Sequence, residues 1–263
     1  MKSKTFSVWN IFFKLVGMRL LIARQQLFDK VYNLYIWGFC TLVIMGHVMQ
    51  AFGLSGNFGV FQLAGIIATA GLFEMYGNVA MTIMDFEGDR SIEYYLTLPT
   101  SPSVILASTA FAYACIGTLL SFAVVPLGKI ILWDRFEITS IAWFKLAMMI
   151  IVANIFYGML TQAVAAHVGS MRKMGNVWAR FIFPLWFLGG FQFSWMAMNK
   201  LSEYVSYALL FNPITYIMEG TRAAVIGQDG FLSWWVCVGA LSFFSVACWF
   251  YAYHKMKKLL DFV

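Results

Sequence analysis

The chain has 263 residues, of which 61% are hydrophobic and 11% charged, with a formal net charge of +6. A soluble domain carries roughly 25% charged residues, so the composition excludes a soluble globular protein, and no loop is long enough to bury a core of its own. The basic excess is spread over short loops, which fits membrane topology rather than a nucleic-acid partner.

Thr5–Phe28 comes first. Trp9, Phe12, Phe13, Val16, Leu20, Ala23 and Leu27 recur at helical spacing, while Lys4, Asn10, Lys14 and Gln25 fall mostly elsewhere. This helix is too charged to cross a bilayer and is expected in the interface, its apolar face at the acyl boundary. It is either a membrane anchor or an elbow that supports a partner protein. Lys14, Arg19 and Arg24 interrupt the only apolar run near the start, so no cleavable signal peptide is expected.

Six long apolar stretches dominate the rest: Val31–Phe52, Val60–Met84, Pro102–Gly128, Ile138–Val168, Val177–Met198 and Phe231–Tyr253. Each exceeds the ~20 residues of helix that cross a ~30 Å hydrocarbon core. The runs lack period-2 alternation, and lipid forces backbone pairing within each segment, so helices are expected rather than barrel strands. The expected fold is a single all-α polytopic membrane domain over residues 1–263. It has six transmembrane helices, an N-terminal interfacial amphipathic helix at 5–28 and an external re-entrant helical pair at 201–230. Cys40, Cys115, Cys237 and Cys248 all lie inside these stretches without CxxC or Cys/His spacing, as packing residues do.

With the N-terminus in the cytoplasm, the cytoplasmic side holds Lys2, Lys4, Lys14, Arg19, Arg24, Lys30, Arg90, Arg172, Lys173, Arg180, Lys255, Lys257 and Lys258. The other side holds Lys129, Arg135, Lys145, Lys200 and Arg222. This bias obeys the positive-inside rule, and an even number of spans returns the C-terminus to the cytoplasm. The basic excess also suits contact with anionic lipid heads.

Gly53–Gly59 reads as a short external turn. Asp85–Ser103 is the most polar internal segment. Gly88 breaks the preceding helix, Asp89–Leu98 forms a short helix stopped near Pro99, and Pro102 opens the next span. Ile92, Tyr95 and Leu96 share one face of the short helix, with Asp89 and Glu93 on another, acids that suit the dipole at its start. A short amphipathic helix exposed to the cytoplasm is a docking surface or a solvated loop. Arg172 and Lys173, and the three lysines after His254, are explained as topology determinants. Leu201–Gly230 is broken at Asn212–Pro213, a good N-cap followed by a good first helical residue. Neither half crosses a core comfortably, and Glu219 and Arg222 are spaced to pair on one face.

Within the spans, Gly71, Glu74, Asn78 and Thr82 form a stripe that Asp85 continues to the cytoplasmic edge. A charged acid at bilayer depth costs roughly 2.5–3.5 kcal/mol, so this stripe is expected to face protein or water, as a translocation path, a subunit seam or a structural network. Asn154, Gly158, Thr161 and Ala165 suit close helix packing. The fifth stretch is crowded with aromatics, among them Phe187 and Phe191, and interrupted by Gly189–Gly190 and Gln192. Such rings stack on sugars, grip acyl chains or anchor span ends. No GxSxG, HExxH or nucleotide-binding P-loop is present, which disfavours an enzyme.

Two local patterns carry a resemblance over essentially the whole length. Glu87–Pro99 (EGDRSIEYYLTLP) and Leu210–Gly227 (LFNPITYIMEGTRAAVIG) are similar to the segment between spans two and three, and to the late N-P signature, of ABC-2 type ABC exporter membrane subunits. The chain departs from that pattern at Asp89–Arg90, where the family carries a Gly-Thr-like pair. The resemblance implies the permease of an ATP-driven exporter in a bacterial cytoplasmic membrane. A second permease copy and two copies of a separate cytoplasmic ATPase, carrying ATP and Mg²⁺, would complete it, and this chain itself would hold no cofactor. Glu87, Asp89, Arg90, Ile92, Glu93, Tyr95 and Leu96 would couple to the ATPase. Glu74, Asn78, Thr82, Phe187, Phe191 and Gln192 would line the path. Asn212, Pro213, Tyr216, Glu219 and Arg222 would form an external gate. The absence of a large external insertion resembles the small exporters of polysaccharides, lipo-oligosaccharides and drugs, so an amphipathic or lipid-linked substrate is implied. An ion-coupled secondary transporter and a non-transporting assembly factor are the competing readings.

Overall fold

The computed structural model describes residues 7–88, 90–133 and 135–259. Lys2, Lys4 and the start of the first segment at Thr5, and Asp89 of the expected coupling helix, lie outside them.

Helix α1 (Val8–Arg24) buries only Leu15 and Val16. It lies along a later helix, α5 (Pro102–Leu132), with the Phe12 and Phe111 rings 5.7 Å apart. A turn at Gln25 and Gln26 ends it, so Leu27 and Phe28 belong to the next helix and not to α1.

Among the described residues, five helical segments are long and apolar enough to cross a membrane: Leu27–Phe52, Phe58–Glu87, Pro102–Leu132, Trp143–Val168 and Trp234–Leu259. The first is α2 (Leu27–Gly46) continued by a 3₁₀ turn, and the others are α3, α5, α6 and α12 in that order. Helix α3 is the most buried and sits at the centre, against α2, α5 and α6. Its contact with α5 and α6 depends on small residues. A Cβ at Gly71 of α3 would lie 2.0 Å from Asn154 Oδ1 of α6, and one at Gly117 of α5 would lie 2.2 Å from the same atom. Gly158 approaches the Ala110 carbonyl of α5 so closely that a Cβ would sit 2.2 Å away. With no hydrophobic drive between helices in lipid, such close approach is what holds them together. The small residues of the fourth stretch pack as their spacing suggests.

The fifth apolar stretch is not one helix, contrary to expectation. Helix α7 (Met174–Val177), a π-helical turn (Trp178–Ile182) and α8 (Phe183–Leu188) follow one another and stop at Gly189. Residues 174–188 reach only about 22 Å. Pro184 has no N–H for the carbonyl four residues earlier, and the helix widens into its π turn just before that proline. Gly190 then adopts φ +90°, a conformation that costs glycine little. The last residues assigned to this stretch belong to α9 (Trp195–Leu201).

Helices α9 and α10 (Glu203–Leu209) pack on each other, and α11 (Pro213–Val225) follows. The break at Asn212–Pro213 falls where the sequence places it. The Asn212 side chain accepts from Ile214 N at 3.0 Å, and Pro213 occupies the first turn. Asn212 Nδ2 also donates to the Leu185 carbonyl at 2.8 Å, which seats the start of α11 beside α8. Its other end is tied to the start of α6 by Ala142 N donating to the Ala224 carbonyl. The expected pair over 201–230 is therefore α10 and α11, with α10 only seven residues long and α9 as an additional short helix.

Two ends of the bundle result. One carries α4 (Ser91–Leu96), the 171–173 turn and the C-terminal end of α12, since Ile92 packs with Met256 and Met171 N donates to Glu87. The far end carries the turns at Gly53, Trp133 and Gly227.

Candidate functional site

At the first end, Asp85 closes the loop that presents α4. Its carboxylate accepts from Ser91 N at 2.9 Å, from Ile92 N at 3.0 Å and from the Ser91 hydroxyl. One acid on the last turn of α3 thus satisfies free N–H groups at the start of α4, as a side-chain cap does. Arg90, just before α4, takes a left-handed φ of 47°, and its guanidinium lies 3.6 Å from Glu93 in an exposed pair. The apolar face is turned inward. Ile92 packs with Leu106, Ala166 and Met256. Tyr95 donates to Met18 Sδ at 3.6 Å and lies under Arg19 of α1, 5.7 Å from the ring centre. Glu87 holds the 171–173 turn through Met171 N at 3.3 Å, and Leu96 is half-buried. What remains on the surface is Arg90, Glu93 and Tyr94, the last 69% exposed. Asp85 and Tyr94 are absent from the expected coupling set. Asp85 was legible as an acid three residues before a helix-breaking glycine and six before a helix start.

Deeper in the bundle, Glu74 of α3 forms an ion pair with Lys30 of α2, and both side chains are largely buried. They border a cavity of about 500 Å³ between α2, α3 and the segment 174–188. Its walls are rings. Phe73 lies 4.8 Å from Trp37, 5.8 Å from Trp178 and 5.6 Å from Trp186. Phe191 closes the cluster, 4.6 Å from Trp186 and 5.9 Å from Trp37. A cation, an anion and several π faces around one hollow suit a molecule with both polar and apolar parts.

The expected path residues do not form one surface. At 100° per residue, Glu74 sits about 60° round the helix from Gly71 and on the far side of it from Thr82. Gly71 therefore meets Asn154, and Thr82 meets Tyr113 of α5 at 3.2 Å between hydroxyls, while Glu74 points to α2. Asn78 is buried, and its carbonyl accepts from Thr82. Phe187 stacks on Phe183 and is half exposed on the outer surface. Gln192 accepts from Gln62 at 2.9 Å, towards the far end. Lys30, Trp37, Phe73 and Trp178 belong to the cavity and were missed. The available signal was the cost of an unpaired acid in a span, which demands a cation, and Lys30 is the one nearest the start of a span.

Arg222 and Glu219 of α11 organise the far end. Arg222 is fully buried. It donates to the carbonyls of Phe191 and Phe193, each at 3.0 Å, and lies 3.5 Å above the Phe61 ring. Glu219 accepts from Trp195 N at 2.9 Å and Leu232 N at 3.0 Å. The two side chains approach each other only to 4.0 Å. Their main work is to satisfy backbone groups that the break after α8 leaves without helical partners, which non-helical backbone at membrane depth requires. Tyr216 instead faces α12, 6.2 Å from the Phe244 ring.

A family model described as ABC-2 type transporter matches residues 13–226. The chain belongs to this family. The match begins in α1 and ends just past α11, so α4, the aromatic cavity and the Glu219–Arg222 cluster all fall within the ABC-2 type region. It is a transporter family, so the chain is a membrane transport protein and not an enzyme. No curated protein matches the chain.

Proposed function

We propose that this chain is the membrane half of an ATP-driven exporter, working as two permease copies on two copies of a separate cytoplasmic ATPase that binds ATP and Mg²⁺. The α4 end faces the cytoplasm of a bacterial cell, with both termini on that side. Helix α4 passes the motion of the ATPase into α3 and α5, its neighbours in the chain. The observation that carries this reading is the mounting of α4. Its apolar face is fixed to the bundle and its base is capped by Asp85, while Arg90, Glu93 and Tyr94 are left outward. A rigidly held helix with a charged outer edge is built to transmit force from a partner.

The cargo is an amphipathic or lipid-linked molecule such as a glycolipid, a polysaccharide or a hydrophobic drug. Its polar part meets Lys30 and Glu74 and its apolar part the rings around Phe73. Helix α11 with its entrance at Asn212, Pro213 and Tyr216, locked by Glu219 and Arg222, forms the outer gate and with α10 the re-entrant pair.

The test is co-purification with the ATPase, followed by efflux from liposomes. A complex of two permeases and two ATPases that transports only with ATP is expected. Glu93→Lys and Tyr95→Pro are expected to insert normally and lose ATPase association. Transport by the chain alone on an ion gradient would establish a secondary carrier instead. Normal ATPase association in both variants would remove α4 from the coupling path.

A further inference from the structure

A groove of about 840 Å³ lies at the α4 end, between α6, the π-helical turn and α12. It shares no lining residue with the cavity beside Glu74. Its floor is apolar, formed by Val164, Val177 and Cys248, and its rim is basic, formed by His167, Lys173 and Arg180. No acidic side chain is among the described residues that line it. Neither Lys173 nor Arg180 has an ion-pair partner among the described residues. In this they differ from Lys30 and Arg222, each of which has an acid beside it.

The spacing deepens the contrast. Lys173, Asn176, Val177 and Arg180 fall at i, i+3, i+4 and i+7, and all four line the groove. Arg180 is therefore about 10 Å further into the apolar stretch than Lys173. A cation at that depth needs an anion or a route back to the headgroup level. A protein partner would have to carry an acid into hydrocarbon to meet it. A lipid phosphate already sits at the interface, with acyl chains beneath it. Basic pockets between helices over an apolar floor recognise acidic headgroups in this way.

We propose that this groove binds one acidic phospholipid from the leaflet on the α4 side. Lys173 and Arg180 hold its phosphate. Asn176 and the Tyr251 hydroxyl, itself 2.7 Å from His167 Nδ1, hydrogen-bond the headgroup. One acyl chain runs along Val164, Val177 and Cys248. The inference rests only on the chain being membrane-embedded, and stands or falls separately from the ATP-driven reading.

The test is native mass spectrometry of the full chain in neutral detergent, titrated with phosphatidylglycerol or with phosphatidylcholine of the same acyl chains. One retained phosphatidylglycerol per chain is expected, bound at least ~10-fold more tightly than phosphatidylcholine. Lys173→Gln and Arg180→Gln should each weaken it about fivefold, and the pair Lys255→Gln and Lys257→Gln should leave it unchanged. Ala247→Trp keeps every charge but fills the groove, and should abolish retention. Equal retention of the two lipids by the unaltered chain, a measurement that needs no variant, overturns the proposal. Displacement of the lipid by glycerol 3-phosphate at equal concentration overturns it too, since the site would then take a free anion. So does a crosslink from Asn176→Cys that captures a second copy or an ATPase chain in place of lipid.

Discussion

Arg222 is fully buried, yet its close partners are the carbonyls of Phe191 and Phe193 and the face of Phe61, not Glu219. Arg222→Met leaves two carbonyls unpaired at membrane depth and should cost roughly 2–5 kcal/mol, read as a lower melting temperature. Arg222→Lys should recover only a minor part, because an ammonium cannot bridge both carbonyls while lying flat on a ring. A melting temperature unchanged in both variants would mean that the break after α8 is held by other contacts. Lys30 and Glu74 present the opposite case, two charges whose main partner is each other. Glu74→Leu alone should leave the protein folded but alter transport. Paired with Lys30→Met in a double-mutant cycle, it should show a coupling of about 1–3 kcal/mol. Unchanged export together with raised stability in Glu74→Leu would make the pair purely structural.

Among the elements, α4 is short enough that its first turn decides whether it exists. Asp85→Ala removes three hydrogen bonds from that turn and should cost roughly 1–2 kcal/mol of local stability. Faster hydrogen exchange at residues 91–96, with α3 and α5 unaffected, is the expected signature, and unchanged protection would show that Ile92 alone anchors the helix. The position of this helix was legible from Gly88 and Pro99, and the start of α11 from Asn212–Pro213, because caps and breakers act locally. The interruption of the fifth stretch was less legible. Gly189–Gly190 was visible, but hydropathy counts apolar residues and cannot tell a crossing helix from a shorter one followed by buried loop. What permits the loop is Arg222, some thirty residues later, a long-range contact that no local pattern carries. The stripe on α3 faces protein, as expected, but it does not form one surface. The positions were read as one face, but α2 and α5 pack on different flanks of that face and divide its residues between them.

For the whole molecule, the decisive quantity is the number of passages between the two ends. Five long helices alone would leave the termini on opposite sides, against the distribution of basic residues. The segment 174–188 starts beside the 171–173 turn at the α4 end, and α11, which begins next to Leu185, finishes beside Ala142 at the far end. Between them they return the chain, so α1 and the end of α12 share the α4 end, where Lys255, Lys257 and Lys258 join Arg19 and Arg24. The positive-inside rule is the ground for the proposal that this end faces the cytoplasm. Gly56 and Gly175 sit at opposite ends with open space where a side chain would go. In a background with the four native cysteines replaced, Gly56→Cys should react with a membrane-impermeant maleimide on intact cells. Gly175→Cys should react only after permeabilisation. The reverse pattern would invert the molecule and place α4 out of reach of any cytoplasmic motor. Labelling of both positions from one side would mean that α3, α5 and α6, the three helices between them, do not all carry the chain across.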